Sequence, residues 1–186
     1  RIIYVIPYIS IIEQTADQFR KIFGDAVIEH HANLEVEDED EMATKIRLAC
    51  ENWDAPIIVT TAVQFFESLF ASRTSRCRKL HNIVKAVVIL DEVQLLPPEF
   101  LNPILHVLQE LSKHYGVTLL LTTATQPAFT PQPTFNFKGL KDTREIMLSP
   151  EQLHNDLKRV RVELLKPLNE VVQWEELSER LKQHPS

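Results

Sequence analysis

The sequence predicts an α/β fold: an open, mostly parallel sheet with helices on both faces. Short apolar runs alternate along the chain with longer segments whose apolar residues recur at helical spacing. This alternation is typical of parallel strands, because each pair needs a crossover that is usually a helix. The run over 86–90 is apolar at every position, which indicates a strand buried on both faces. A length of 186 residues and a hydrophobic content of 44% suit one domain-sized core.

The chain opens on a predicted strand, Ile2–Ile6, in which most residues are β-branched. A helix is predicted over Ile11–Phe23, because its apolar residues share one helical face. Ser10 and Glu13 match a capping box at its start, and Gly24 is a typical helix end.

The later elements keep this order of strand and helix. Strands are predicted over 26–29, 57–59, 86–90 and 117–121, and helices over 42–50, 62–70, 99–115 and 174–183. Pro103 is tolerated only in the first turn of a helix, so the third of these helices is expected to begin nearer Leu101. Beyond Thr125 the pattern weakens, and short strands over 144–148 and 159–165 are open possibilities.

The net charge of the chain argues against binding to nucleic acid through overall electrostatic attraction. The formal net charge is −6, which is unlike a generic nucleic-acid binder. Acids fill six of the seven positions over 35–41, where a solvated loop is favoured over a cation site. A basic group leaves two interpretations open, contact with nucleic-acid phosphates or a solvated connection. Its members are Arg73, Arg76, Arg78, Lys79 and Lys85.

Several other kinds of site are disfavoured. No apolar run approaches the ~20 residues of a membrane helix, so no membrane contact is expected. Cys50 and Cys77 have neither metal nor disulfide spacing, which favours reduced thiols in a cytoplasmic protein. His30 and His31 are adjacent, so in a strand their rings would point to opposite faces. They make a poor metal pair and are predicted at the surface.

Two carboxylates directly follow the apolar run that predicts a buried strand. Asp91 and Glu92 therefore lie at a carboxyl strand end, where open α/β sheets bind ligands. The next predicted strand ends in Thr123-Ala124-Thr125, so the two strand tips are expected to share one site. A carboxylate beside a nucleotide suits Mg²⁺, and a second one suits activation of water. The alternative, a solvated Asp-Glu loop, is disfavoured by the paired strand tips.

Four segments resemble motifs of superfamily-2 helicases. The stretch Asp91-Glu92-Val93-Gln94 resembles the Walker B box, motif II, and Thr123-Ala124-Thr125 resembles motif III. The stretch 7–14 aligns without gaps on motif Ia, and 60–62 falls where the next DNA-contacting motif belongs. Their order and spacing make the resemblance specific, although each motif alone is weak. Over residues 1–165 the chain is most similar to the first RecA-like domain of the nuclease-helicase of type I CRISPR systems.

This resemblance implies a RecA-like fold and an ATP-dependent helicase or translocase acting on single-stranded DNA in antiviral defence. Residues 1–165 would form a partial first RecA-like domain, and 166–186 a connector toward a second one. The implied cofactors are ATP and Mg²⁺. The implied partners are single-stranded DNA, the CRISPR effector complex Cascade, and the second RecA-like and HD nuclease domains of the same protein.

The resemblance also implies roles for individual residues. Asp91 would hold Mg²⁺, Glu92 would activate water, and Gln94 would join the catalytic group. Thr123 and Thr125 would relay the state of the nucleotide. The implied DNA-binding residues are Pro7, Tyr8, Ile9, Ser10, Thr60, Thr61 and Ala62.

Two positions depart from the family pattern. Gln94 stands where many relatives have His or Asp, so coupling between the nucleotide and DNA sites would differ in detail. Ile9 stands where motif Ia has Arg, so a grip there would come from backbone N–H groups or from Tyr8.

A phosphate-binding loop is missing from the sequence. No Gly-x-x-x-x-Gly-Lys-[Ser/Thr] occurs, and the chain has only three glycines. We therefore expect a fragment that lacks the N-terminal P-loop segment and does not hydrolyse ATP by itself. Two alternatives stay open: another superfamily-2 DNA or RNA helicase, and a non-enzymatic α/β adaptor whose motifs are relics.

Overall fold

A computed structural model describes residues 1–31, 41–123, 139–140, 142–160 and 171–183. The chain divides into two compact units, Arg1–Thr143 and Arg144–Ser186. All described strands belong to the first unit. The domain boundary proposed at residue 165 stays a prediction.

The first unit contains a five-stranded parallel sheet, which confirms the predicted RecA-like α/β fold. Its strands are β1 (Ile2–Ile6), β2 (Val27–His30), β3 (Ile57–Thr61), β4 (Val87–Leu90) and β5 (Thr118–Leu121). Their spatial order is β2-β3-β1-β4-β5, so β1 pairs with both β3 and β4. All five carboxyl ends therefore lie at one edge of the sheet.

In the described part of this unit, six α-helices connect the strands. They are α1 (Ile12–Phe23), α2 (Glu41–Asn52), α3 (Ala62–Phe70), α4 (Thr74–Cys77), α5 (Leu80–Ile83) and α6 (Leu101–Tyr115). Gly24 and Gly116 end α1 and α6 with positive φ angles of 58° and 65°, and the end at Gly24 was predicted from the sequence. The sequence analysis did not predict the short α4 and α5.

The strands carry core residues on both faces. Ile3 and Val5 of β1 join one buried cluster with residues of α3 and α6, while Ile6 joins a second cluster with Ile12 and Ala16 of α1. Because strand side chains alternate between faces, α1 covers the face opposite to α3 and α6. This agrees with the prediction of helices on both faces.

Several predicted details were wrong. The Ser10–Glu13 capping box does not form, because α1 begins at Ile12 with Ile11 as its N-cap and no side-chain cap. Strand β3 continues to Thr61, two residues beyond its predicted end. Residues 144–148 form no strand. Most of the possible strand over 159–165 lies outside the described residues, as does the acidic run before Glu41.

The second unit contains α7 (Pro150–Leu157) and α8 (Trp174–Gln183). The sequence predicted α8 with the same bounds and missed α7. Throughout the described residues, no helix combines the length and apolar character needed to span a bilayer.

Candidate active site

The ends of β4 and β5 place the predicted acidic pair beside a threonine pair. The Asp91 N–H extends the sheet by donating to the Val5 carbonyl at 2.9 Å, and the Thr122 N–H donates to the Leu90 carbonyl at 2.9 Å. Leu90 and Leu121 are paired in register, so Asp91 and Thr122 are neighbours across the two strands. The sheet itself therefore determines which side chains meet at this edge.

The Asp91 carboxylate accepts three hydrogen bonds. Its Oδ2 accepts from the Tyr4 hydroxyl at 2.8 Å, and its Oδ1 accepts from the Glu92 N–H at 3.0 Å and from the Thr122 hydroxyl. Donors on both oxygens fix the plane of the carboxylate.

The chain turns sharply directly after Asp91. Glu92 has a left-handed backbone conformation, with φ 51° and ψ 48°, which is unfavourable for a residue other than glycine or asparagine. A conformation of this kind at a strand end redirects the side chain and is often found at functional sites. The Glu92 carboxylate accepts a hydrogen bond from the Gln94 side-chain amide.

Gln94 connects the acidic pair to the end of β5. Its amide nitrogen donates to Glu92 Oε2, and its Oε1 accepts from the Thr123 hydroxyl at 2.6 Å. The residues that the sequence placed in motifs II and III are thus joined through Gln94. Thr125 lies outside the described residues.

The acid site, which comprises Asp91, Glu92 and Gln94 with their hydrogen-bond partners, is partly accessible to solvent. Asp91, Glu92 and Gln94 are all partly exposed. Two adjacent carboxylates, Asp91 and Glu92, lie at this strand end, and the described residues contain no group of three or more His, Cys, Asp or Glu side chains that could hold a metal ion. Such a donor set fits Mg²⁺, which keeps several waters and takes one or two carboxylates together with substrate phosphates. Asp91 and Glu92 are the residues that would hold it.

The two predicted DNA-binding segments differ in accessibility. Tyr8 and Ile9 follow β1 with 55% and 42% of their surface exposed, and Ser10 is exposed beside them. Thr60 is fully buried and its hydroxyl donates to the His30 carbonyl at 2.8 Å. Thr61 is also buried, and its hydroxyl caps α3 by accepting from the Gln64 N–H at 3.2 Å. The side chains of Thr60 and Thr61 therefore have structural roles.

Pro7 and Ala62 complete the predicted set of DNA-binding residues. Pro7 immediately follows β1 and is partly buried, while Ala62 is the first residue of α3 and is also partly buried. The structure thus places 7–10 and 60–62 at the carboxyl ends of two adjacent strands, β1 and β3.

Tyr4 and Thr122 belong to the acid site, and the sequence analysis did not identify them. One signal was available for Tyr4, since it is the only residue of β1 with a polar group on its side chain. A partly buried tyrosine hydroxyl usually has a hydrogen-bond partner. Its partner, 87 residues away, could be found only from the pairing of β1 with β4.

Burial and the acid pair both affect the Tyr4 hydroxyl. Burial, the hydrogen bond to Asp91 and the negative charges of Asp91 and Glu92 together raise the pKa of Tyr4 to about 12, with burial the largest cause. Tyr4 therefore keeps its proton and remains a donor to Asp91 at neutral pH.

A second polar group, the Trp53 cluster, is packed beside β2 and β3 and consists of His30, Trp53, Phe65 and Lys79. Trp53 is fully buried and its indole N–H donates to His30 Nδ1 at 3.2 Å. The Phe65 ring stacks on it at 6.2 Å between centroids, and Lys79 Nζ lies 5.3 Å from the ring centroid.

Two expectations about these residues were wrong. His31 is buried and His30 is partly buried, whereas both were predicted at the surface. Burial lowers the pKa of His30 to about 4, with smaller contributions from the charges of Lys79 and His31. Lys79 is itself buried, so it belongs to the interior and not to a basic surface group. The position of His30 at the end of β2 and the packing of Lys79 over the Trp53 ring decided these outcomes, and sequence adjacency reveals neither.

The parallel sheet and the joined strand tips fit a RecA-like domain of the helicase class. The family model described as DEAD/DEAH box helicase matches residues 1–132, and the chain belongs to this family. The chain is also similar to the CRISPR-associated nuclease/helicase Cas3 of Haloferax volcanii, with 34% identity over 144 residues. That alignment covers 68% of this chain and 15% of the relative, so the chain spans a small part of the relative's length.

Proposed function

We propose that this chain is part of the first RecA-like lobe of an ATP-dependent translocase that unwinds target DNA in a type I CRISPR system. The observation that carries the proposal is the hydrogen-bonded series from Asp91 and Glu92 through Gln94 to Thr123. It occurs in a chain of the DEAD/DEAH box family that is similar to a CRISPR-associated nuclease/helicase.

The two carboxylates of the acid pair would have different chemical roles. Asp91 is the better residue to hold Mg²⁺, because donors on both of its oxygens fix its orientation. When bound, Mg²⁺ neutralises charge on the phosphates of ATP. Glu92 is the better residue to orient the attacking water and accept its proton, since it leaves the strand on a sharp turn and is partly exposed.

Gln94 would transmit the state of the nucleotide. Its amide nitrogen contacts Glu92 and its amide oxygen contacts Thr123, so a change at either end alters the other. Thr123 and Thr125 would pass that change toward the DNA side. Tyr8, Ile9 and Ser10 would contact a single strand through exposed side chains and backbone N–H groups, with Tyr8 stacking on a base.

The intact enzyme is expected in the cytoplasm, working with Cascade and with its own second RecA-like and HD nuclease domains. The chain alone is expected not to hydrolyse ATP, because its sequence contains no phosphate-binding loop. Calorimetry should detect no micromolar ATP binding by these 186 residues. Tight binding would overturn this expectation.

The substitution Glu92→Gln in the full-length enzyme tests the proposal. Loss of a general base is expected to lower DNA-stimulated ATP turnover by about 10²–10⁴-fold while nucleotide binding persists. The matched control is Glu99→Gln, which neutralises an exposed acid seven positions later and should leave turnover unchanged. Turnover that stays near normal in Glu92→Gln would remove Glu92 from its role.

Parallel assays with single-stranded DNA and single-stranded RNA separate the proposal from a helicase of another kind. Stimulation by DNA and not by RNA is expected. Stimulation by RNA alone would assign the chain to an RNA helicase, and no ATPase activity with either would favour an adaptor with relic motifs.

A further inference from the structure

We propose that Tyr4 is a positioning residue that holds the Asp91 carboxylate in the orientation from which it receives Mg²⁺. This inference rests on the proposed function, since it assigns a second role at the same acid site. It adds a residue to which no role was assigned from the sequence.

The sheet register brings Tyr4 to Asp91. Tyr4 pairs with Ile89 across β1 and β4, and paired residues of adjacent strands project from the same face. Asp91 comes two residues after Ile89, and its N–H continues the ladder by donating to the Val5 carbonyl. Asp91 therefore projects from the same face as Tyr4, one pleat further along, within reach of a long side chain.

Packing fixes the direction of the Tyr4 hydroxyl. The Tyr4 ring contacts Phe19 of α1 edge to face, with 5.3 Å between centroids, and Phe19 contacts Phe23 in the same manner at 6.4 Å. A ring held in this way presents its hydroxyl to Asp91 with little loss of side-chain freedom on forming the hydrogen bond. The other residues of β1 are aliphatic and have no donor to offer.

Three donors already occupy most of the acceptor positions of the Asp91 carboxylate. An ionised carboxylate has about four lone-pair positions, and three are used by Tyr4, Thr122 and the Glu92 N–H. Tyr4 is the one donor among these on Oδ2. Removing its hydroxyl would leave Oδ2 without one of these donors, so only the two donors on Oδ1 would resist rotation of the whole carboxylate about its Cβ–Cγ bond.

The test uses Tyr4→Phe in the full-length enzyme, which keeps the ring on Phe19 and removes only the hydroxyl. Mn²⁺ binding is measured by electron paramagnetic resonance with ADP present, and the Mg²⁺ concentration for half-maximal ATP turnover is measured beside it. Loss of an outer partner of a metal ligand is expected to weaken metal affinity by about 10-fold or more in both measurements. Turnover at saturating Mg²⁺ should stay near normal.

Two controls make the outcome specific. Tyr115→Phe removes an exposed hydroxyl at the end of α6 and should leave metal affinity unchanged. In an Asp91→Asn background, Tyr4→Phe should have no further effect on metal affinity, because the group that it positions has been altered.

The results distinguish this inference from the proposed function. Unchanged metal affinity in Tyr4→Phe, together with a large loss in Asp91→Asn, would overturn the role of Tyr4 and keep the motor function. Unchanged affinity and turnover in Asp91→Asn would overturn both. An equal loss for Tyr4→Phe in the normal and the Asp91→Asn backgrounds would show a general structural effect and would also overturn the positioning role.

Discussion

Two groups of polar side chains lie along the same parallel sheet and differ in their exposure to solvent. At the ends of β4 and β5, Asp91, Glu92 and Gln94 are hydrogen-bonded yet partly exposed. In the Trp53 cluster, the indole is fully enclosed and its N–H is used by His30. The comparison shows that hydrogen-bonding polar residues alone do not mark a site.

The difference has a physical origin in the sheet. Carboxyl strand ends open toward solvent, so side chains that project there keep acceptor positions for a ligand. The Trp53 cluster lies between the sheet and its helices, where an unused polar group would be costly and is therefore paired. Substitutions in the cluster should affect stability, whereas substitutions in the acid site should affect chemistry.

The largest expected effect on stability comes from Trp53→Ala. Removing a fully buried indole from its stack with Phe65 should cost about 3–5 kcal/mol in the free energy of unfolding. Urea denaturation followed by circular dichroism measures this loss. The control is Trp174→Ala, because Trp174 is 81% exposed and should contribute less than about 0.5 kcal/mol. Equal losses of unfolding free energy in the two variants would contradict a structural role of the Trp53 cluster.

A smaller and pH-dependent effect is expected from His30. Its pKa is about 4 in the folded chain and ordinarily 6.5, so between these values the unfolded chain binds a proton that the folded chain does not. His30 should therefore contribute stability that is fully present above pH 6.5 and is lost as the pH falls toward 4, by at most about 3 kcal/mol.

Denaturation at a series of pH values measures this contribution. His30→Gln should reduce the slope of unfolding free energy against pH in this window, relative to the unaltered chain. His106→Gln alters an exposed histidine of α6 and should leave the slope as it is. An unchanged slope in His30→Gln would mean that its protonation is not linked to folding.

The smallest expected effect is on the free energy of unfolding and concerns the backbone conformation of Glu92 in the acid site. Glu92 has φ 51°, a conformation that glycine adopts without steric cost and alanine does not. Glu92→Gly should therefore be more stable than Glu92→Ala by about 1 kcal/mol, although both remove the same carboxylate. Both should lack DNA-stimulated turnover in the full-length enzyme. Equal stability of the two variants would show that the turn carries no strain.

Much of the fold could be predicted because its signals are local. Apolar runs in the sequence predicted the five strands of the described residues. The helix α6 begins at Leu101, as the position of Pro103 indicated. Details that depend on competition between local groups were harder to predict from the sequence. The Ser10–Glu13 pair has the residues of a capping box, yet α1 begins two residues after Ser10 without using it.

The candidate site could be predicted only in part. Adjacent residues after an apolar run identified Asp91 and Glu92, and the motif order added Gln94 and Thr123. The donors Tyr4 and Thr122 were missed because hydrogen bonds across 87 and 31 residues leave no local signal. The assignment of Thr60 and Thr61 to DNA stays a prediction, and the sequence did not reveal that their buried hydroxyls bond within the chain.

The sequence by itself determined the kind of sheet, the family and the position of the acidic pair, because periodicity and short motifs are properties of neighbouring residues. The tertiary structure alone decided which donors surround Asp91, which histidine is enclosed, and which threonines are used internally. These outcomes depend on strand order and register, since the pairing of β1 with β4 brings together residues that are distant in the chain.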